Sequence, residues 1–319
     1  MVKIVIAGGS GSVAREVIDV LLASKKHEIT VLSRRAVSAS ADSSPIHTLQ
    51  TSYEDVDELV QILDGAHTVL SFIAPHLDQE EAANTQKRLI DASIKAGVKR
   101  FAPSEWSSSH FKHLSWYTYK AMTREYLATI NKDGKVLEYC LFQPGLFTNY
   151  LATPYKTAKY LDMFGTPYNF NERKALLVEG GDESVITFTT VKDFAQVVAR
   201  AVEYEGVWPV VGGMAGTQIT IGSLVALGEK VRGGAFEITR LKAEDLKNGT
   251  WTSPWLPKVE HPSIAPEHVE AASKMMVPHL LLAFKDGSFT CSDEWNKLLP
   301  DYHFEQADDF AQREWRGKP

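Results

Sequence analysis

The chain has little cysteine and no concentrated positive charge, and both absences exclude classes of protein. Its 319 residues include only two cysteines, Cys140 and Cys291, which are too few for a disulfide framework or a cysteine-ligated metal centre. We therefore expect no metal site and a reducing, cytoplasmic setting. The formal net charge is −6 and basic residues form no block, so we expect no nucleic acid partner.

Long apolar segments are also missing. No stretch approaches the roughly 20 apolar residues that span a bilayer. The apolar run at the start is too short for the hydrophobic part of a signal peptide, and glycines follow it at once. We therefore expect no membrane partner. The hydrophobic content of 44% and the charged content of 23% are typical of a globular protein with a substantial core.

The first residues contain the most informative motif. An apolar run at residues 2–6 ends in a glycine-rich turn, and a helical apolar pattern begins directly after it. The glycines fit two spacings, Gly9-x-Gly11-x-x-Ala14 and Gly8-x-x-Gly11-x-x-Ala14, and both are typical of a strand–turn–helix that binds a dinucleotide pyrophosphate. The free N–H groups of the helix start would face this anion. The predicted cofactor contacts here are Gly8, Ser10, Gly11, Ser12 and Val13.

The end of the second predicted strand indicates which dinucleotide binds. An acidic residue at this position would bind the 2′-hydroxyl of NAD, whereas an arginine accommodates a 2′-phosphate. This chain has Ser33, Arg34 and Arg35 there and no acid. We therefore predict that NADP(H) is the cofactor and that these three residues contact it, rather than being a solvated surface group.

Strands and helices alternate through the first half of the chain, which predicts a Rossmann-type, doubly wound parallel α/β sheet. A smaller C-terminal α/β part would bind the substrate. We predict an NADP-binding domain at residues 1–152, to which 184–212 return, and a substrate-binding part at 153–183 and 213–319. The predicted strands cover 2–6, 29–32, 46–49, 68–73, 98–102, 136–142 and 184–189, and the predicted helices include 53–63, 80–96, 116–130, 191–203 and 221–231.

Several segments together resemble a known family. The fifth predicted strand lies in Gly97-Val-Lys-Arg-Phe-Ala-Pro-Ser-Glu-Trp106, which is similar to a signature of the NmrA-like, isoflavone-reductase-like branch of the short-chain dehydrogenases/reductases. The other matching segments are Gln86–Ala92, Lys120-x-x-x-Arg124 with Glu125, Pro144-Gly145-Leu-Phe147 with Tyr150, and Thr189–Phe194. The resemblance extends over nearly the whole chain.

This resemblance implies a catalytic lysine beside the nicotinamide, and Lys120 is at the matching position. The tyrosine that wider relatives have four residues before the lysine is Trp116 here, so we assign no tyrosine acid. Glu105 has two interpretations, one that orients a ribose and one that is structural. We further predict cofactor contacts at Phe72, Ile73, Lys120, Pro144 and Phe147. We predict substrate contacts at Phe147 and Tyr150, which follow the sixth predicted strand, and at Trp106; packing in the core is the alternative for these three aromatic residues.

The sequence thus predicts an NADPH-dependent reductase of a small apolar metabolite, aromatic or polycyclic, in which Lys120 donates a proton or stabilises charge. Two alternatives remain open. One is a non-catalytic NADP-sensing regulator that binds a protein, which the same family contains. The other is a redox-neutral isomerase or cyclase on the same fold. The bond that is reduced and the oligomeric state are not predicted.

Overall fold

The computed structural model describes residues 2–35, 46–74, 78–260 and 264–319. By its internal contacts the chain forms two compact units. The first unit comprises Met1–Trp106, Trp116–Phe142 and Ala195–Gly212, and the second comprises Ser107–Ser115, Gln143–Phe194 and Gly213–Pro319. The assignment of cofactor and substrate roles to the predicted domains stays a prediction.

Six parallel strands form the main sheet of the first unit. They are β1 (Val2–Ala7), β2 (His27–Ser33), β3 (Ile46–Gln50), β4 (Thr68–Ser71), β5 (Arg100–Ala102) and β6 (Glu138–Tyr139). Their order in space is β3-β2-β1-β4-β5-β6, and every neighbouring pair is parallel. This order reverses between β1 and β4, as in the Rossmann fold, where ligands bind at the carboxyl ends of the strands next to the reversal. The predicted fold class is confirmed.

Helices follow most of these strands, as parallel pairing requires. They are α1 (Ser12–Ser24), α2 (Val56–Leu63), α3 (Gln79–Lys95) and α4 (Thr118–Ile130). A fifth helix, α5 (Val191–Glu203), comes later in the chain. One buried cluster joins β1, β4 and β5 to α2, α3 and α4, and it includes Val5, Val69, Phe101, Leu59, Leu89 and Leu127. Removal of this apolar surface from water is the main favourable term that holds the layers together.

Two boundaries differ from the sequence prediction for clear physical reasons. The helix predicted from Tyr53 begins at Val56, because Tyr53 has a left-handed φ of 64° and Asp55 caps the helix by accepting from two of its first amides. The strand predicted at 136–142 is divided. Cys140 donates to the carbonyl of Phe101 in β5, whereas Leu141 donates to that of Val210, so the chain changes its pairing segment there.

The remaining elements complete the α/β pattern. The strands are β7 (Leu141–Gln143), β8 (Leu146–Phe147), β9 (Tyr168–Asn169), β10 (Lys174–Val178), β11 (Val185–Thr189), β12 (Val211–Gly213), β13 (Thr217–Thr220) and β14 (Glu237–Leu241). The helices are α6 (Ile221–Arg232), α7 (Ala243–Asn248), α8 (Val269–Lys285), α9 (Glu294–Leu298) and α10 (Ala307–Trp315). In the second unit, sheets form in the orders β14-β10-β9 and β13-β11-β8. Within the described ranges, no helix is long and apolar enough to cross a membrane.

Candidate functional site

The glycine turn after β1 is fixed at Gly8 by contacts with neighbouring residues. This residue has a φ of 73°, which favours glycine. A Cβ there would lie 2.9 Å from the carbonyl carbon and oxygen of Phe72, at the end of β4. The Gly8 amide donates to the carbonyl of Leu32 at 3.1 Å and to the hydroxyl of Tyr53 at 3.2 Å. The protein itself therefore requires glycine at this position.

Gly11 is different, because the described residues leave room for a side chain there. Among them, a Cβ on Gly11 would meet only the carbonyl oxygen of Gly8, at an ordinary 3.5 Å. Gly11 precedes α1 and, within the described residues, no side chain caps that helix start, whereas Asp55 and Asp78 cap α2 and α3. Open amides at a helix start favour an anion. Of the other predicted contacts, Ser10 lies in the glycine turn and is exposed, whereas Ser12 and Val13 are the first residues of α1.

The residues that are predicted to bind the 2′-phosphate of NADP(H) lie at the end of β2. Arg34 and Arg35 are exposed, and neither guanidinium is paired with a carboxylate in the part of the chain that the structure describes. The hydroxyl of Ser33 accepts from the amide of Arg35 at 3.1 Å. Burial raises the pKa of Tyr53 to about 12, against a smaller lowering by Arg34. The positive charge of Arg34 therefore acts on the same hydroxyl that accepts from Gly8.

Trp106 packs over the end of β4. Its indole stacks on Phe72 with centroids 4.4 Å apart and planes 8° apart, and it lies 5.4 Å from the ring of Phe142. Its Nε1 donates to the carbonyl of Ser71 at 2.7 Å. Phe72 thus lies between Trp106 and Gly8, and Ile73 beside it is buried. The predicted contact of Trp106 with substrate stays a prediction.

Lys120 is buried on α4, with 5% of its surface exposed. Its Nζ donates to the backbone carbonyl of Glu105 and lies 3.9 Å from the centre of the Tyr117 ring. Burial lowers the pKa of Lys120 to about 7, with a raising effect from Glu105 and a smaller lowering effect from Arg124. Because an amine in this state gains or loses a proton near neutral pH, it is suited to general acid–base work.

The carboxylate of Glu105 forms a buried ion pair that the sequence did not reveal. Arg124 donates to it from Nε at 3.0 Å and from Nη2, and Glu105 is 1% exposed. A hydrogen bond also joins the side chains of Tyr119 and Ser104, while burial raises the pKa of Tyr119. The segment after β5 is therefore bound to α4 on both sides of Lys120. Glu105 has a structural contact, and its alternative contact with a ribose stays a prediction.

The other predicted contacts lie in the second unit. Phe147 is buried and packs edge-on against Phe194, with centroids 5.5 Å apart, and against Tyr150, 5.9 Å apart. The ring of Tyr150 lies 4.1 Å from that of Phe164. Pro144 is buried beside them in the chain. Their contacts with cofactor or substrate stay predictions.

Comparison with known proteins identifies the family. The sequence profile of the NmrA-like family matches residues 2–272. The chain belongs to the NmrA-like family. An oxidoreductase of Botryotinia fuckeliana, BOA1, is 34% identical over a match that covers 48% of this chain and 51% of that protein. The chain therefore aligns with about half the length of this relative. The oxidoreductase swnN of Metarhizium robertsii is 23% identical, with 79% of this chain and 80% of that protein covered.

Solved structures share the fold of this NmrA-like chain. An NADPH-dependent quinone oxidoreductase from Escherichia coli, complexed with NADPH, superimposes with a TM-score of 0.67 at 21% identity, covering 97% of this chain and 99% of that one. A nucleoside-diphosphate-sugar epimerase from Staphylococcus aureus gives a TM-score of 0.69 at 15% identity, with 97% and 99% covered. At these identities the likeness shows the fold alone.

Proposed function

We propose that this NmrA-like protein is an NADPH-dependent reductase that acts on a small apolar metabolite, aromatic or polycyclic. The buried amine of Lys120 carries the proposal, because burial brings its pKa to about 7. Burial of a charged amine costs stability, and fully buried lysines are rare in folded proteins. Perturbed titratable groups of this kind are enriched at functional sites. The names of the two fungal relatives, both oxidoreductases, support the same reaction class.

The residues of the first unit fit NADP(H). The start of α1, which no described side chain caps, and the space that the described residues leave at Gly11 suit a pyrophosphate, because open amides and the helix dipole favour an anion. Arg34 at the end of β2 suits a 2′-phosphate, which a guanidinium binds with two parallel hydrogen bonds. When bound, NADPH supplies a hydride. The NADPH complex of the quinone oxidoreductase from Escherichia coli supports this choice of cofactor.

Lys120 performs the acid step in this proposal. Its Nζ is fixed by the carbonyl of Glu105 and by the face of the Tyr117 ring. The protonated amine donates a proton to the substrate oxygen, nitrogen or carbon that becomes negative as the hydride arrives, and it recovers the proton from solvent. A lysine that titrates near neutral pH performs both steps without a large energetic penalty. We propose that Trp106, which lies in the same unit as Lys120, contacts the ring of the substrate.

The substrate group is a carbonyl, an imine or an activated carbon. The quinone named for the Escherichia coli neighbour favours testing carbonyls first. The experiment is a panel of quinones, aromatic ketones and cyclic imines, in which NADPH oxidation is followed by absorbance with the native protein and with Lys120→Met. We expect turnover of at least one panel member, and a loss of about 10²-fold or more in Lys120→Met, with most of the NADPH affinity retained.

Lys132→Met is the matched control, because Lys132 is an exposed lysine just past the end of α4; we expect it to be as active as the native protein. Equal turnover in Lys120→Met and the native protein would remove Lys120 from the mechanism. Tight NADPH binding without turnover of any panel member would instead favour the NADP-sensing regulator, and conversion of a substrate without NADPH oxidation would favour the isomerase.

A further inference from the structure

The peptide bond between Glu105 and Trp106 has an unusual orientation. Trp106 has a left-handed φ of 46°, which is rare for a bulky residue and costs free energy. The Glu105 amide donates to the carbonyl of Pro103 at 2.7 Å, so the chain turns sharply just before this bond. The carbonyl of the same bond accepts from Nζ of Lys120. A strained backbone therefore presents the oxygen that anchors the amine.

Strain of this kind persists only where the surroundings fix it. Two side chains do so here. The indole of Trp106 is held by the Ser71 carbonyl and by the ring of Phe72. The carboxylate of Glu105 is held by two hydrogen bonds from Arg124, which lies one helical turn after Lys120 on α4. The same helix thus holds the amine and, through Arg124, the residue whose carbonyl anchors it.

We propose that the Glu105–Arg124 ion pair is a positioning device for the Lys120 amine, and that neither Glu105 nor Arg124 contacts the reacting atoms. Only the expected effect of this pair on turnover rests on the proposed catalytic role of Lys120; its effect on the position and pKa of the amine does not. The guanidinium of Arg124 fixes the carboxylate of Glu105, and this fixes the orientation of the Glu105 backbone carbonyl. The carbonyl in turn holds Nζ of Lys120. The two charges of the pair also act on the amine with opposite signs.

The groups that face Lys120 determine in which direction its pKa is shifted. The Glu105 carboxylate comes from the segment after β5, and Arg124, Tyr117 and Tyr119 come from α4 and the turn before it. The carboxylate favours the protonated amine and the guanidinium disfavours it, and the carboxylate has the larger effect. Loss of Arg124 alone should therefore raise the pKa of Lys120, and loss of Glu105 alone should lower it.

The test is direct titration of the Lys120 amine in the full chain by NMR, with lysine labelled with carbon-13 next to Nζ. Lys120→Met identifies the resonance by its disappearance. We expect Arg124→Gln to raise the Lys120 pKa, and Glu105→Gln to lower it, by about one unit or more each. Arg124→Lys keeps the charge and should leave the pKa close to native. Arg240→Gln, which breaks an exposed pair with Asp182 in the second unit, is the control and should not move it.

Shifts of the same sign in Arg124→Gln and Glu105→Gln, or no shift in either, would overturn the proposal. If one single variant does not fold, the double variant Glu105→Gln/Arg124→Gln decides, since it buries no unpaired charge. Its Lys120 pKa should fall below the native value, because the larger effect is that of Glu105; an unchanged or higher value would contradict the proposal.

Kinetics separates positioning from the charge effect. On any substrate of the panel, Arg124→Lys should lower kcat several-fold with an unchanged KM and an unchanged midpoint of the pH profile, because the fork that holds Glu105 is lost while the charge remains. Native kcat in Arg124→Lys would show that the pair does not position the amine. If the Lys120 pKa shifts in opposite directions in Arg124→Gln and Glu105→Gln but no substrate is turned over, the anchoring of the amine is supported and only the proposed reductase is refuted.

Discussion

The amide of Gly8 donates a hydrogen bond to the hydroxyl of Tyr53, 45 residues further along the chain. Tyr53 is fully buried and has a left-handed φ of 64°, so its backbone is shaped to bring the side chain under the glycine turn. Because the pKa of Tyr53 is about 12, the hydroxyl keeps its proton at neutral pH. It therefore accepts from Gly8 and retains one proton to donate.

Tyr53→Phe should weaken the turn without removing it. The Gly8 amide keeps its bond to the Leu32 carbonyl, so we expect a loss of about 0.5–1.5 kcal/mol in the free energy of unfolding and a several-fold weaker affinity for NADPH. Denaturant unfolding and calorimetric titration measure the two effects. Tyr139→Phe is the control, because that hydroxyl has no hydrogen bond to any described residue. Unchanged NADPH affinity in Tyr53→Phe would show that Tyr53 does not shape the site.

Gly9 and Gly11 offer a matched pair of substitutions with opposite expected effects. A Cβ at Gly9 would lie 2.6 Å from Val31 Cγ1, so Gly9→Ala should cost about 1–3 kcal/mol of stability through overpacking. Gly11→Ala meets no such obstacle among the residues that the structure describes, and Gly11 has an ordinary φ of −69°, so the protein should keep its stability. Its NADPH affinity should fall about tenfold or more, because the methyl group occupies the approach of the pyrophosphate. Native affinity in Gly11→Ala would place the phosphates elsewhere.

The titration of Lys120 makes stability depend on pH. In the unfolded chain the pKa of this lysine is near 10.5, and in the folded chain burial lowers it to about 7. Between these pKa values the unfolded chain holds a proton that the folded chain has released. The contribution of Lys120 to the free energy of unfolding therefore rises with pH and is lowest below pH 7. Lys120→Met removes this term.

We therefore expect Lys120→Met to be more stable than the native protein at about pH 6, and the difference to shrink by on the order of 2 kcal/mol by about pH 9. Urea unfolding of both proteins across this range measures it, and Lys132→Met serves as the exposed control. A difference between Lys120→Met and the native protein that stays constant with pH would show that Lys120 has an ordinary pKa.

Much of the first unit was predictable from the sequence because its signals are local. The apolar run, glycine turn and helix at the start define β1 and α1, and alternation of strands and helices predicts the parallel sheet. The errors came where one residue changes the backbone course. Tyr53 lies in a helical pattern but has a left-handed φ, and Cys140 lies in an apolar run where the chain changes its pairing segment.

The contacts around the candidate site were less predictable, because they join residues far apart in the chain. Arg124 and Glu105 are 19 residues apart, and a single sequence carries no signal that pairs them. The prediction of Lys120 as a catalytic residue came from the family resemblance, because its helix pattern alone favours a surface lysine. Its burial, and hence its pKa, follows from the packing of Tyr117 and the segment after β5.

The proposed reductase binds NADPH to the first unit through Arg34, and calorimetric titration of NADPH and NADH tests this contact. Charge-assisted hydrogen bonds to the 2′-phosphate contribute roughly 1.5–3 kcal/mol, so the native protein should bind NADPH about tenfold or more tighter than NADH. Arg34→Ala should lose this preference, and Arg240→Ala should keep it. Equal affinity of the native protein for both cofactors, or a full preference in Arg34→Ala, would contradict the account.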